Sequence, residues 1–183
     1  TRHGLLHVGI AGQIGVVFPC GQFIECGSHV PGGLGNAGGR IAQLCAGLLS
    51  MRVIAYDPYL SAAEIAARGA EKVELAELMR RADVVSINCP LTDETRGMIG
   101  AREYALMQKH AIFITTARGH IHDEAALAEA LRDKRIAGAG LDVWAQEPPP
   151  RDHPLLAFDN VIISPHTAGV THEARANMGR IAA

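Results

Sequence analysis

Gly33-Leu34-Gly35-Asn36-Ala37-Gly38 runs directly into Gly39-Arg40-Ile41-Ala42-Gln43-Leu44-Cys45-Ala46, and shortly afterwards the apolar run Arg52-Val53-Ile54-Ala55-Tyr56 ends on Asp57. The first stretch has the spacing GxGxxG and opens a segment of helical composition over 36–49. In such a motif Gly33 permits a tight turn, Gly35 lets backbone approach a pyrophosphate, and Gly38 lets the helix pack on a sheet, with the helix N-terminus facing the phosphates. In a chain holding 20 glycines the spacing alone is a weak signal, and a surface loop is its bland alternative. Asp57 strengthens it. It follows a strand-like run 19 residues beyond Gly38, near the ~20 at which a carboxylate meets ribose hydroxyls. Pro58 and Tyr59 follow, with no adjacent cation for a 2′-phosphate, so the motif favours NAD over NADP.

The rest of the chain continues this rhythm. Short, continuously apolar runs at 6–11, Arg52–Tyr56, 84–88, 111–115, 137–141 and Val161–Ile163 read as strands buried on both faces. Between them, 36–49, 61–68, Leu75–Arg81, 101–107, 124–133 and 171–181 read as helices. Asp123 is suited to cap the fifth of these, and Ala126, Leu127, Ala130 and Leu131 recur at helical spacing behind it. Strand and helix in alternation predict an α/β fold, a Rossmann-type doubly wound parallel sheet with helices on both faces.

Composition narrows the partners. The 183 residues suit one domain, and 48% hydrophobic with 20% charged is globular composition. A formal charge of −2 supplies no field to gather nucleic acid or an anionic membrane, which leaves a small molecule as the expected partner. The four cysteines show neither CxxC pairing nor zinc-finger spacing with histidine, so no metal site is expected and the thiols read as reduced and cytoplasmic. No apolar run is long enough to span a bilayer. The chain begins at Thr1 without Met, close to an apolar segment, and so reads as a fragment.

One stretch breaks the pattern. Residues 13–32 mix short apolar patches with prolines and glycines, and the expectation is an irregular surface insertion within a single domain spanning 1–183, with the sheet running through 6–11 instead. Gly12-Gln13-Ile14-Gly15 sits where the phosphate-binding turn belongs but lacks a glycine and a following helix.

Three polar residues stand just past expected strand ends, where open α/β sheets bind ligands: Arg118 in TTARGH, Glu147 in LDVWAQEP and His166 in SPHTAG. A histidine can exchange a proton, a glutamate can orient and charge-stabilise it, and an arginine can clamp a carboxylate. Taken singly, each has an ordinary structural reading as a cap, a solvated charge or a satisfied ring. Taken together, they supply what reduction of a 2-keto acid needs.

From Ala111 onward the text AIFITTARGHIHDEAALAEALRDKRIAGAGLDVWAQEPP and HPLLAFDNVIISPHTAG, with GLGNAGGRIA, MRVIAYDP and ADVVSINCPLTDETRGMI before it, resembles the D-isomer-specific 2-hydroxyacid dehydrogenases. The resemblance implies that Arg118 binds the substrate carboxylate and carbonyl, that Glu147 pairs with the histidine, and that His166 is the acid–base. It further implies cofactor contacts at Asn36 and Ala37 by the pyrophosphate, Asp57 at the adenosine ribose and Cys89 and Pro90 along the dinucleotide. Thr116 and Ala117 would stand beside Arg118, Asp142 near the nicotinamide amide, and Gly169 after the histidine. Cys89 needs only its backbone for this.

There are departures. His120 stands where glycine is usual, and Leu48-Leu49-Ser50 replaces a glycine-containing end one residue shorter. The family's substrate domain, assembled from sequence on both sides of the dinucleotide domain, is essentially absent. Two rival readings therefore stay open, a non-enzymatic NAD(H) sensor similar to the C-terminal binding protein corepressors and an inactive truncated product. The resemblance also leaves a homodimer open, since the family commonly pairs through its NAD domains. It does not choose the 2-keto acid.

Overall fold

A computed structural model describes residues 13–17 and 36–182 of the chain. Seven strands lie in one sheet: β1 (Gln13–Val17), β2 (Arg52–Tyr56), β3 (Ala70–Lys72), β4 (Val84–Ile87), β5 (Ile112–Thr115), β6 (Gly138–Leu141) and β7 (Val161–Ile163). Their order is β3-β2-β1-β4-β5-β6-β7, and every pairing is parallel. The chain winds outward from β1 to one edge and then from β4 to the other, so the order reverses between β1 and β4. The helices are α1 (Asn36–Leu48), α2 (Ala62–Ala66), α3 (Leu75–Arg81), α4 (Ala101–Leu106), α5 (Glu124–Arg132) and α6 (His172–Ala182), with a 3₁₀ turn at Pro154–Ala157. None of the described helices is long and apolar enough to cross a membrane.

Alternation along the strands divides the core in two. On β2, Val53 and Ala55 join Ala42 and Cys45 of α1 and Ile65 of α2 on one face, while Ile54 joins the other. On β4, Val84 belongs to the first face, and Val85 and Ile87 to the second. That second face, with Phe113, Leu141 and the α3, α4 and α5 side chains, is the larger core. Successive strand side chains point to opposite faces, and both faces here are apolar, so the sheet is covered by helices on both sides, as expected for the doubly wound class.

Local chemistry sets the helix starts. Ser61 Oγ accepts from the Glu64 amide at 3.3 Å, and Glu64 Oε2 accepts from the Ser61 amide at 2.8 Å, a reciprocal cap on α2. Asp123 Oδ1 accepts from the Ala126 amide at 3.0 Å and opens α5, whose Ala126, Leu127, Ala130 and Leu131 are buried.

Two sequence expectations need correction. The irregular excursion expected over 13–32 contains β1, which lies in the middle of the sheet and pairs with both β2 and β4; the remainder of that span, and the strand expected at 6–11, lie outside the described residues. Gln-Ile-Gly-Val-Val is short, and the prolines and glycines beyond it hide its β-branched character. Its partners, 52–56 and 84–87, are far away in sequence, and the ladder they form is invisible to a local reading. The second correction is β3, absent from the expected strands. Ala70-Glu71-Lys72 carries two charges and no apolar run, as suits an edge strand.

Both departures in glycine usage sit where the backbone is left-handed. Ser50 has φ 53° and His120 has φ 64°, conformations that glycine adopts without Cβ strain. Here Met51 N–H closes the end of α1 on the Cys45 carbonyl at 3.0 Å, and the His120 carbonyl accepts from Gly97 N–H at 2.8 Å.

Candidate active site

Because all seven strands are parallel, their carboxyl ends lie along one edge, and the loops there carry the candidate residues. Thr116, Ala117 and Arg118 follow β5, Asp142 follows β6, and His166 follows β7. A cleft of about 530 Å³ at this edge is lined by Thr116, Arg118, Asp142, His166, Ala168 and Gly169. Residues separated by some 50 positions in sequence thus share one space.

His166 Nδ1 lies 2.7 Å from Glu147 Oε2. The second oxygen, Oε1, accepts from the Trp144 amide at 3.1 Å. These two hydrogen bonds, the His166 contact first, together with the positive field of His166 and Arg118, hold the Glu147 carboxyl below the usual glutamate range against mild desolvation. Glu147 is therefore ionised at neutral pH. The side chains of the pair are 40% and 38% exposed, so solvent screens them and their geometry must be fixed by the loops that carry them.

His166 has φ 56°, a left-handed conformation that costs a β-carbon-bearing residue roughly 1–2 kcal/mol. Asp142 holds that loop. Its Oδ1 accepts from Ser164 Oγ at 2.6 Å and from the Thr167 amide at 2.7 Å, and its Oδ2 accepts from the Ala168 amide at 2.9 Å. Burial would push this carboxyl up, but the three donors and nearby His166 outweigh it and leave the group below the ordinary aspartate value. Both Asp142 oxygens are thus committed to the loop of His166, so the residue shapes that loop as well as facing the cleft.

Arg118 donates one guanidinium N–H to the Ala117 carbonyl at 2.6 Å. Behind it, Gly119 lies against the next loop: a Cβ there would stand 1.9 Å from the Trp144 carbonyl oxygen and 2.8 Å from Ala145 N. Contact this close admits only glycine, and it locks the Arg118 loop against the loop of Glu147.

At the far side of the switch point the sites are separate from this cleft. Asp57 follows β2 and is fully buried. Its Oδ1 accepts from the Tyr59 amide at 2.9 Å, whereas Oδ2 is buried without a hydrogen-bond partner. Burial pushes the Asp57 pKa above the ordinary value, opposed by the Tyr59 and Leu60 amides and by Lys72 and Arg68. A buried carboxylate oxygen lacking a donor is what a ribose hydroxyl would satisfy, so the residues present fit a dinucleotide at this position. Cys89 is buried at the end of β4, where burial pushes its thiol up to about 12, so it has no thiolate chemistry at neutral pH. Pro90 O accepts from Thr95 Oγ1 at 2.7 Å, which closes that loop. Asn36 and Ala37 open α1, Gly38 is buried within it, and Gly33 and Gly35 lie outside the described residues.

Sequence reasoning missed Trp144, Glu124, His153 and Gly119 as members of this constellation. Glu124 looked like an ordinary first-turn acid of a helix, and the Gly119 contact depends on how close two loops approach. Gly119 stands in the TTARGH stretch and Trp144 in LDVWAQEP, yet nothing in either string shows that the two meet.

Comparison with known proteins agrees with this arrangement. The D-isomer specific 2-hydroxyacid dehydrogenase NAD binding domain matches residues 32–168. The D-3-phosphoglycerate dehydrogenase of Archaeoglobus fulgidus is 42% identical over 151 residues, which is 82% of this chain and 28% of that protein. The glyoxylate reductase of Aeropyrum pernix is 45% identical over 152 residues, 82% of this chain and 45% of its own length. The chain therefore spans less than half of the curated relatives it matches. Among solved structures, D-lactate dehydrogenase with NAD+ from Lactobacillus jensenii superposes with a TM-score of 0.76 at 31% identity, covering 91% of this chain and 49% of that one. A sheet of this order, a buried acid after β2, a His–Glu pair after β7 and β6, and matches over most of the chain agree: this chain is a NAD-binding domain of the D-isomer specific 2-hydroxyacid dehydrogenase family.

Proposed function

We propose that this domain serves the NAD-dependent interconversion of a 2-keto acid and a D-2-hydroxy acid, with Arg118, Glu147 and His166 as its reacting and orienting groups. The observation that carries the reading is the 2.7 Å contact between His166 Nδ1 and an ionised Glu147 on a loop that shares its cleft with Arg118. When bound, NADH supplies the hydride to the keto carbon. His166 carries the proton: with Nδ1 committed to Glu147, Nε2 is the nitrogen that donates to the carbonyl oxygen in reduction and takes the proton back in oxidation. Glu147 fixes the orientation of the ring through Nδ1. Arg118 has guanidinium N–H groups beyond the one given to Ala117 with which to clamp the substrate carboxylate.

On the dinucleotide side, Asp57 would accept from the adenosine ribose through Oδ2. The Gly33, Gly35 and Gly38 motif with Asn36 and Ala37 would receive the pyrophosphate, and Cys89, Pro90, Thr116, Ala117 and Gly169 would line the path. Asp142 serves the nicotinamide end through the loop it holds. A buried carboxylate at the ribose favours NAD over NADP, because a 2′-phosphate would meet it charge to charge. Cys45 and Cys89 are buried free thiols, which suits a reducing, cytoplasmic setting, and a homodimer joined through this domain fits the family reading.

The test is NADH oxidation, followed by absorbance, with glyoxylate, hydroxypyruvate and pyruvate, using the complete reading frame that contains the chain. His166→Ala should cost roughly 10²–10⁴-fold in kcat while NADH binding changes little. Equal behaviour of the wild type and His166→Ala would favour a protein that only senses NAD(H), and absence of nucleotide binding would favour an inactive product. The 183-residue chain alone should bind the dinucleotide without measurable turnover, since Arg118 and His166 by themselves leave a keto acid in solvent.

A further inference from the structure

A second histidine–glutamate pair lies behind the first. Glu124, the opening residue of α5, directs Oε2 to His153 Nε2 at 3.1 Å and accepts the Ala145 amide on Oε1 at 2.7 Å. We propose that Glu124 and His153, neither of which lines the cleft, are positioning residues that fix the Trp144–Ala145 peptide and through it the Glu147–His166 pair; this rests on the acid–base role given to that pair above.

The Trp144–Ala145 peptide is the point at which every loop of the site meets. The Trp144 amide donates to Glu147 Oε1 at 3.1 Å, and its indole Nε1 donates to the Ser164 carbonyl at 3.3 Å, two residues before His166. Its carbonyl presses on Gly119, next to Arg118. Its ring meets the His153 ring edge to face, centroids 5.3 Å apart at 78°. Glu124 takes the Ala145 amide and so fixes the Trp144–Ala145 peptide plane. The Trp144 N–H belongs to the preceding Val143–Trp144 plane, and the two planes hinge at Trp144 Cα, so freeing the Ala145 side lets Trp144 shift and its N–H draw away from Glu147.

Exposure shows which pair can position which. The His153 and Glu124 side chains are 15% and 13% exposed, against 40% and 38% for His166 and Glu147. An exposed pair gains little from its own attraction and wanders with its side-chain rotamers, whereas a nearly buried pair with its remaining atoms satisfied is stiff. His153 is satisfied on both nitrogens: Nδ1 accepts from the Leu155 amide at 3.3 Å, so Nε2 carries the N–H that faces Glu124. The inner pair thus anchors the β6 loop to the start of α5 and to the 3₁₀ turn, and the outer pair inherits its geometry.

The test reads the titration of the Glu147 carboxyl by carbon-detected NMR in the 183-residue chain, without substrate or turnover, so it stands or falls separately from the proposed reaction. The charged and hydrogen-bonding groups facing Glu147 are His166, Arg118 and the Trp144 amide, and all of them hold its carboxyl ionised. Glu124→Ala frees the Trp144–Ala145 segment, loosens the Trp144 N–H bond to Glu147, and should move the Glu147 midpoint up by about 0.5 pH unit, part of the ~1–3 units that close favourable partners produce. Removing the Glu124 charge through space alone would move it down, so the sign separates positioning from simple electrostatics. Glu124→Gln keeps an acceptor for Ala145 and should return the midpoint to the wild-type value or slightly below. His153→Phe keeps the ring against Trp144 and should give a smaller upward shift than Glu124→Ala. A Glu147 midpoint that stays put or falls in Glu124→Ala, with thermal stability lowered, would make the pair merely structural and overturn the proposal. If Glu124→Ala does not fold, His153→Phe decides alone: an upward shift supports the proposal, and no shift overturns it.

Discussion

At the ends of β6 and β7 both oxygens of Glu147 and both oxygens of Asp142 accept hydrogen bonds from the protein, while at the end of β2 one oxygen of Asp57 is buried with no donor at all. The two regions share a sheet edge and differ in how far the protein fills its own polar groups. On the roles proposed above, groups that move a proton are aimed before the substrate arrives, with their hydrogen-bonding capacity filled by the protein itself, whereas a group that would bind a ligand's hydroxyl is left unfilled, at a cost in stability that the ligand would remove. Glu147 is accordingly held below its ordinary pKa by its partners, and Asp57 is pushed above its own by burial.

The contrast breaks most visibly if the prearranged half is loosened. Gly119→Ala places a Cβ 1.9 Å from the Trp144 carbonyl oxygen, where the obstacle is backbone and cannot swing away. The expected loss is about 3–4 kcal/mol in chemical denaturation, and a variant as stable as the wild type would show that the two loops are not in this contact.

His122 tests the rule that unfilled polar groups belong to ligand sites. It is 3% exposed, beside Phe113, with both ring nitrogens lacking partners, and burial lowers its pKa to about 4. Its folded pKa lies below the unfolded value of about 6.5, so the unfolded chain takes up the proton first. The neutral ring's stability is fully present above that unfolded value and declines as pH falls toward the folded one. At pH 5 the loss is about 2 kcal/mol. His122→Leu should abolish this acid-dependent part and raise stability by about that amount at pH 5, read from urea midpoints at pH 5 and pH 7. Equal pH dependence in the variant and the wild type would mean that His122 is hydrated or partnered.

Asp57→Asn should produce the smallest effect on stability, with the opposite sign on nucleotide binding. Without nucleotide the chain should gain about 1 kcal/mol at neutral pH, because a buried ionised group becomes neutral. Since the folded pKa of Asp57 is raised, ionisation penalises the folded state only above the unfolded value, and the gain should disappear as pH falls through the unfolded value near 4. NAD binding should weaken by ~1–3 kcal/mol through loss of a charged hydrogen bond. If stability and binding fall together, Asp57 is a structural acid and the contrast between the two regions fails.

The elements that sequence placed well are those whose signal is local. The run 52–56, the helix at 75–81 and the run 161–163 have their observed bounds in the residue pattern alone, because continuous β-branched runs and a helical repeat are written into neighbouring residues. The Arg118, Glu147 and His166 set was legible for a related reason: in a parallel sheet, residues just past strand ends must share one edge. β1 was not legible, since Gln13–Val17 becomes a strand through partners 39 and more residues away. The second histidine–glutamate pair was not legible either, because Glu124 and His153 meet only once α5 and the 3₁₀ turn are packed.

By itself, then, the sequence determined the alternating α/β class, the order of most elements and the placement of Arg118, Glu147 and His166 just past strand ends, all of which follow from periodicity, capping and the strand pattern. Tertiary structure alone decided which strand stands at the centre, which carboxylate oxygens are filled and which is left bare, and how closely Gly119 meets Trp144. These are matters of distance and burial between segments remote in the chain, and hydrogen-bond capacity and solvent exposure take values only after those segments have packed.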